Sequence, residues 1–298
     1  MSMIPPESNS RNSIVCLLIV NQIQEFPEIV VRSILRNSKS KILIGYINQR
    51  DIHEIPEDPR VTYINLSSEI INLNFANSQG YQGWESENFF QIIQLKWILL
   101  KKAFSTGVDI VIYNDIDVVW LQDAENFVTR ATKTNQNGKI FIQSFTYYPD
   151  NPRLCMGFVY FSNSPIVLSF IDEAQKRHSL EFQKNPRIGD DDIVTLIYRE
   201  KKFPDWIIEL PQSSFPVGNA LNQFNLKSRM PGLFADRPMI FHANFVGDLR
   251  NKLLLLRIFL TKSERRSLGV TFSPYWITLL SGKWIMHWKR QFTRYWKK

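Results

Sequence analysis

The feature that most constrains this chain is a set of short, almost unbroken apolar runs at residues 14–20, 41–47 and 61–66. A strand with one face in water alternates apolar and polar residues. A run that is apolar throughout must be covered on both faces, as in a parallel sheet packed between helices. Between the first two runs, Ile29, Val30, Ser33 and Ile34 fall at helical spacing within residues 27–35, so the chain opens as strand, crossover helix, parallel strand. A long helix is expected from a cap at Ser86, with Phe89, Ile92, Ile93, Trp97, Leu100 and Phe104 on its apolar stripe and an end near Gly107. Further strands at 108–113, 139–145, 157–161, 206–210 and 239–241, with helices at 165–177, 191–199 and 248–260, continue the α/β alternation.

With 298 residues, 44% of them hydrophobic, the chain can bury one sizeable core. One main domain is expected over residues 13–262, after a polar segment at 1–12 and before a tail at 263–298. Residues 1–12 lack the apolar stretch of a secretory signal, and no later segment is apolar for long enough to span a bilayer. Two cysteines, Cys16 and Cys155, form no closely spaced metal pair and fit a reducing compartment. The expectation is a cytoplasmic protein, either soluble or peripheral on the inner face of a membrane.

A formal charge of +8 favours anionic partners. In the tail, Lys283, Lys289, Arg290, Arg294, Lys297 and Lys298 alternate with Trp284, Trp288, Phe292, Tyr295 and Trp296, with no acid among them. That composition suits an anionic membrane surface; packing of the tryptophans on the domain is the alternative, and no nucleic acid partner is expected.

Chemistry concentrates in four places. Asp115-Ile116-Asp117 follows the strand at 108–113, and two carboxylates one residue apart in extended chain share a side, where they can face one divalent cation. The same pattern also arises as a polar turn. His242 follows a short apolar strand, as either a ligand or a structural histidine. Lys96 shares the apolar helix face, where a cation needs a partner unless it snorkels outward. In Gly189-Asp190-Asp191-Asp192, acids at a helix start are favoured by the macrodipole whether or not they react.

Residues 111–123, Val-Ile-Tyr-Asn-Asp-Ile-Asp-Val-Val-Trp-Leu-Gln-Asp, resemble the D-x-D segment of nucleotide-diphospho-sugar transferases, glycosyltransferase family 77. Three later segments keep the order found there and in the related family 8: Cys155-Met156-Gly157-Phe158-Val159-Tyr160, Gly189-Asp190-Asp191-Asp192-Ile193, and His242-Ala243-Asn244-Phe245-Val246-Gly247. The resemblance spans roughly residues 14–260, and four ordered segments are more specific than any one of them. It implies a GT-A fold: Rossmann-like α/β, with a mixed, mostly parallel central sheet flanked by helices. It implies retaining transfer of a sugar from a nucleotide-diphosphate donor, with UDP the expected nucleotide, to a glycan, a lipid-linked glycan or a protein.

By the same resemblance Asp115, Asp117 and His242 hold manganese or magnesium. Carboxylates with a neutral imidazole suit manganese better. Asp115, Lys96, Gly157, Gly247, Arg250 and Lys252 would bind the donor, with Arg250 and Lys252 competing to neutralise its diphosphate. Asp190 and Asp191 would be catalytic. The related families carry Asp-Gln-Asp or Asn-Asp-Gln here, so Asp191 stands where glutamine is usual, as a nucleophile or as a stabiliser of an oxocarbenium-like transition state. Tyr81, Trp84, Tyr147 and Tyr148 lie in loops, where they can stack on sugars or simply pack.

Two rival readings fit parts of the pattern. A magnesium-dependent aspartyl phosphatase would take Asp115-Ile116-Asp117-Val118 as its nucleophile motif and Gly189-Asp190 as its magnesium site, but that fold normally opens with this strand. A non-catalytic, basic protein binding membrane or nucleic-acid surfaces would rely on the tail alone.

Overall fold

The computed structural model describes residues 12–20, 25–48, 52, 55–72, 87–131, 139–145, 152–203, 205–217, 238–244, 252–253 and 256–257. The chain opens with β1 (Ser13–Ile19), α1 (Glu25–Asn37), β2 (Lys41–Tyr46), β3 (Val61–Asn65) and α2 (Ser67–Asn72). Next come α3 (Glu87–Ile92), α4 (Leu95–Phe104), β4 (Ile110–Asn114), β5 (Val118–Trp120) and α5 (Ala124–Ala131). β6 (Ile140–Phe145), β7 (Arg153–Ser162), α6 (Pro165–Lys184), α7 (Asp190–Arg199), β8 (Ile207–Glu209) and β9 (Ile240–His242) complete the order.

Seven strands form one sheet in the order β3-β2-β1-β4-β7-β6-β8. β1 pairs in parallel with both β2 and β4, β2 with β3, and β6 with β8, whereas β7 runs antiparallel to β4 and β6. The sheet is therefore mixed and mostly parallel, as expected. Every residue of β1 is buried, which is why its sequence shows no alternation. Strand order reverses between β1 and β4, and beyond the carboxyl ends of such a pair open α/β sheets leave a crevice for ligands. β4 ends at Asn114, so the chain enters that crevice at Asp115.

One face of the sheet is covered by α4, α6 and α7, whose Trp97, Leu100, Phe170, Ile171, Ile193 and Ile197 share a core with Cys16 and Leu18 of β1. Ser164 caps α6 by accepting from the Val167 N–H, with Pro165 in the first turn, as favoured helix starts do. The helix expected to run unbroken to Gly107 divides at residues 93–94. There, Lys96 N–H bonds to Ile93 O at 3.1 Å and Trp97 N–H to Gln94 O at 3.2 Å, the tighter three-residue spacing. Gly107 ends the segment with φ +77°, a conformation that costs glycine little.

Several local expectations need correction. Among the described residues β3 is the edge strand of the sheet, and Thr62 and Tyr63 are exposed, so the run at 61–66 is not covered on both faces. β7 begins at Arg153, four residues before its expected start, and α2, β5 and α5 were not expected as separate elements. Ser86, Tyr81, Trp84, Tyr147, Tyr148, Gly247, Arg250, most of the helix expected at 248–260 and the tail at 263–298 lie outside the described residues. No helix of the described residues is long and apolar enough to cross a membrane.

A small second sheet fixes the path of the chain after β4. β5 pairs antiparallel with β9, setting Val118 opposite His242 and Trp120 opposite Ile240. The Trp120 backbone is held by α1: its N–H donates to Ser33 Oγ at 3.0 Å, and its carbonyl accepts from Asn37 Nδ2 at 2.9 Å. Fully buried Asn114 ties the turn together, because its Nδ2 donates to Asp115 O and Val118 O while its Oδ1 accepts from Trp120 Nε1 at 2.8 Å. Asn114→Ala would leave the buried Val118 carbonyl and Trp120 Nε1–H without this partner, and should lower unfolding stability by about 2–4 kcal/mol in urea titrations. A loss below about 0.5 kcal/mol would mean that the turn does not depend on Asn114.

Candidate active site

Asp115 and Asp117 do not lie on extended chain, as expected from the sequence, but on a tight turn closed by Val118 N–H bonding to Asp115 O at 3.0 Å. They still converge, because β5 leaves the turn alongside β9. The Ala243 N–H bonds to Asp117 O at 2.9 Å, and His242 Nε2 lies 3.3 Å from Asp117 Oδ1. One donor atom each from Asp115, Asp117 and His242 lies within 4.8 Å of the others. Asp117 and His242 are buried, whereas the Asp115 side chain keeps 29% of its surface exposed.

Gly157 makes room for the histidine. A Cβ there would fall 2.8 Å from His242 Nδ1 and 2.9 Å from Nε2, so the imidazole occupies the space that any side chain would need. The Gly157 carbonyl also accepts from the Asp115 N–H at 2.8 Å. One glycine thus seats both the turn and the histidine.

Lys96 reaches the aspartates rather than the surface. Its side chain is 7% exposed, and its Nζ lies 2.9 Å from Asp115 Oδ1 and 2.5 Å from Asp190 Oδ2. Burial alone would depress the ammonium, but Asp115 and then Asp190 outweigh it and hold Lys96 charged, well above its ordinary range. Tyr113 completes this corner: its hydroxyl donates to Asp115 Oδ1 at 3.1 Å and its ring lies 4.7 Å from Lys96 Nζ. On the other side, Lys252 Nζ sits 2.6 Å from Asp117 Oδ2. Burial pushes Asp117 upward, yet Lys252 and then His242 prevail and keep it ionised far below the usual carboxylate range.

Of the three acids that open α7, only two face the cluster. Asp190 meets Lys96, and Asp191 Oδ1 accepts from the Met156 N–H at 2.6 Å, beside Gly157. Asp192 serves the helix start, taking the Gly189 N–H at 3.2 Å and pairing with Arg153 at 3.0 Å. Burial, and then the neighbouring Asp190, raise Asp191 to about 7.

Four carboxylates thus gather around two ammonium groups. Burial, despite Lys96, raises Asp115 as well, and Asp117 adds to the effect. A cluster with surplus negative charge, two hard oxygens and an imidazole fits a divalent cation of the manganese or magnesium class. Tyr113 and Asn114 escaped the sequence reading because each belongs to an apolar strand by pattern and acts through its polar tip. The signal available was position: both directly precede the acids.

A family model described as nucleotide-diphospho-sugar transferase matches residues 55–256, more than half of the chain. The chain belongs to that family. Its enzymatic class is glycosyl transfer with a nucleotide-sugar donor, and its sheet is mixed and mostly parallel, as the sequence resemblance implied. This displaces the phosphatase reading and the reading as a binding protein alone. A search of curated proteins finds no match. Among solved structures the transferase is similar to mouse xyloside xylosyltransferase 1 in its apo form, at 11% identity and TM-score 0.49, with 80% of this chain and 99% of that one covered.

The proton on Asp191 gives the transferase a measurable pH dependence. In the unfolded chain this carboxyl ionises near ~4, whereas folded it keeps its proton to about 7. Between those values the folded state binds more protons, so stability falls as pH rises from ~4 to ~7, by at most about 1.4 kcal/mol per pH unit from this group. Asp191→Asn in metal-free protein should flatten the slope measured by urea unfolding at stepped pH. An unchanged slope would show that Asp191 ionises as a solvent-exposed carboxyl does.

Proposed function

We propose that this transferase is a metal-dependent, retaining enzyme that moves a sugar from a UDP-sugar to a glycan acceptor, free or lipid-linked. The observation that carries the reading is the convergence of Asp115, Asp117 and His242, remote in the chain, on one spot at the sheet's switch point. Asp117, His242 and Asp115 would hold the ion. When bound, it supplies positive charge to the departing diphosphate. Lys252, beside Asp117, is suited to neutralising a further phosphate oxygen, with Arg250 the alternative; Gly247 would let the backbone approach the same group. The basic, aromatic composition of residues 263–298 is what speaks for an anionic surface near a lipid-linked acceptor.

Asp190 and Asp191 divide the remaining work. Asp190 is engaged by Lys96 and so orients that ammonium towards Asp115 and the donor. Asp191, held by the Met156 N–H beside Gly157, is the carboxylate suited to face the anomeric carbon, as nucleophile or as a counter-charge to an oxocarbenium-like transition state. In either role it works ionised. Retention would be read from the anomeric configuration of the product by NMR.

Manganese with UDP should raise the melting temperature by several degrees at ligand levels about 100-fold above Kd, which corresponds to about 2.7 kcal/mol. Asp117→Asn, judged folded by circular dichroism, should abolish that shift, although leaving Lys252 without its carboxylate lowers the metal-free melting temperature. A shift that persists in Asp117→Asn, or in the presence of a chelator, would sink the metal-dependent reading. A panel of UDP-sugars in the same assay, followed by turnover, would then identify the donor.

A further inference from the structure

The proposed transfer reaction leaves one buried polar constellation unused. His178 on α6 is fully buried, and both of its ring nitrogens are engaged. Trp97 Nε1 lies 2.9 Å from His178 Nδ1, and an indole N–H can only donate, so Nδ1 must be the unprotonated, accepting nitrogen. The proton then resides on Nε2, which donates to the Ile188 carbonyl at 3.2 Å. Geometry alone fixes one neutral tautomer. Burial also disfavours the imidazolium, holding His178 below its ordinary range.

The partners of this ring are what give it meaning. Trp97 is the residue after Lys96 on α4, and Ile188 stands two residues before Asp190, which opens α7. One imidazole therefore laces three segments: α4, α6 and the turn leading into α7. The two segments that it ties together supply the two ends of the buried ion pair Lys96 to Asp190, at 2.5 Å. α6 packs against both α4 and α7, so the ring bridges the two elements from the one that holds them together.

We infer that His178 is a positioning residue: through Trp97 and Ile188 it sets the register between Lys96 and Asp190, and so the placement of Lys96 and Asp191 at the donor site. The inference rests on the proposed transfer reaction for its consequence in turnover, but the register itself is a structural matter that can be read without turnover. His178 touches no metal ligand and none of the reacting atoms. Its effect is therefore expected in kcat and not in the affinity for manganese and UDP.

The test uses the full chain and two variants. His178→Phe removes both hydrogen bonds; Trp97→Phe keeps a buried ring and deletes only the indole donor, which preserves the test should the first variant fail to fold. In lysine-labelled protein, a buried ammonium held by two carboxylates exchanges slowly with water and gives its own NMR signal, assigned by its absence in Lys96→Met. In a folded variant, judged by circular dichroism, that signal should broaden or vanish, and kcat should fall by about tenfold or more, as small misplacements of positioning groups do, with manganese-dependent UDP binding within about twofold. A retained Lys96 signal overturns the proposal whatever turnover does, and so does an unchanged kcat in an active enzyme. If wild-type protein turns over no UDP-sugar, the proposed reaction fails while the lysine signal still decides the role of His178.

Discussion

A three-residue antiparallel pairing carries most of the chemistry. When β9 lies against β5, Val118 faces His242, and the imidazole is delivered to the turn that holds Asp115 and Asp117. Two strands this short are not stable alone. Their order comes from elsewhere: Asn114 braces the turn from within, Ser33 and Asn37 of α1 hold the backbone of Trp120, and Gly157 leaves room for the ring. The large sheet thus acts as a frame for a small one, and the small one sets the site.

Charge is the second constraint. Four carboxylates share a mostly buried space with two lysines, and removing either partner of a buried pair costs about 3–5 kcal/mol because the other is left uncompensated. Lys96 answers Asp115 and Asp190, and Lys252 answers Asp117. The balance remains negative, which is unfavourable for the isolated fold and favourable for a site that receives a cation and then a diphosphate. Burial, and then the neighbouring Asp190, hold a proton on Asp191 to about 7.

Much of this was legible in the sequence. Continuous apolar runs announced a sheet covered on both faces, and the four ordered motifs brought the acids, the glycine and the histidine into one site. Lys96 could be singled out because a cation on an apolar stripe needs a partner, and the structure supplies two. What was not legible was local geometry. The acids sit on a turn, not on extended chain, because Asn114 bonds to Asp115 O and Val118 O, an effect that no spacing rule contains. That Gly157 leaves room for the ring of His242 depends on two residues remote in the chain meeting in space. The edge position of β3 depended on strand order, which residues 61–66 do not encode.

Asp117 and His242, joined by strand pairing, are proposed to bind one divalent ion together with the diphosphate of a sugar nucleotide, and everything said of the reaction depends on that union. A crystal structure of the full chain with manganese and UDP, with anomalous data collected at the manganese edge, tests it most directly. A single strong peak is expected within bonding distance of an Asp117 oxygen, a His242 nitrogen and the diphosphate. A peak elsewhere, or UDP bound in the crevice with no ion between its phosphates and these side chains, would contradict it.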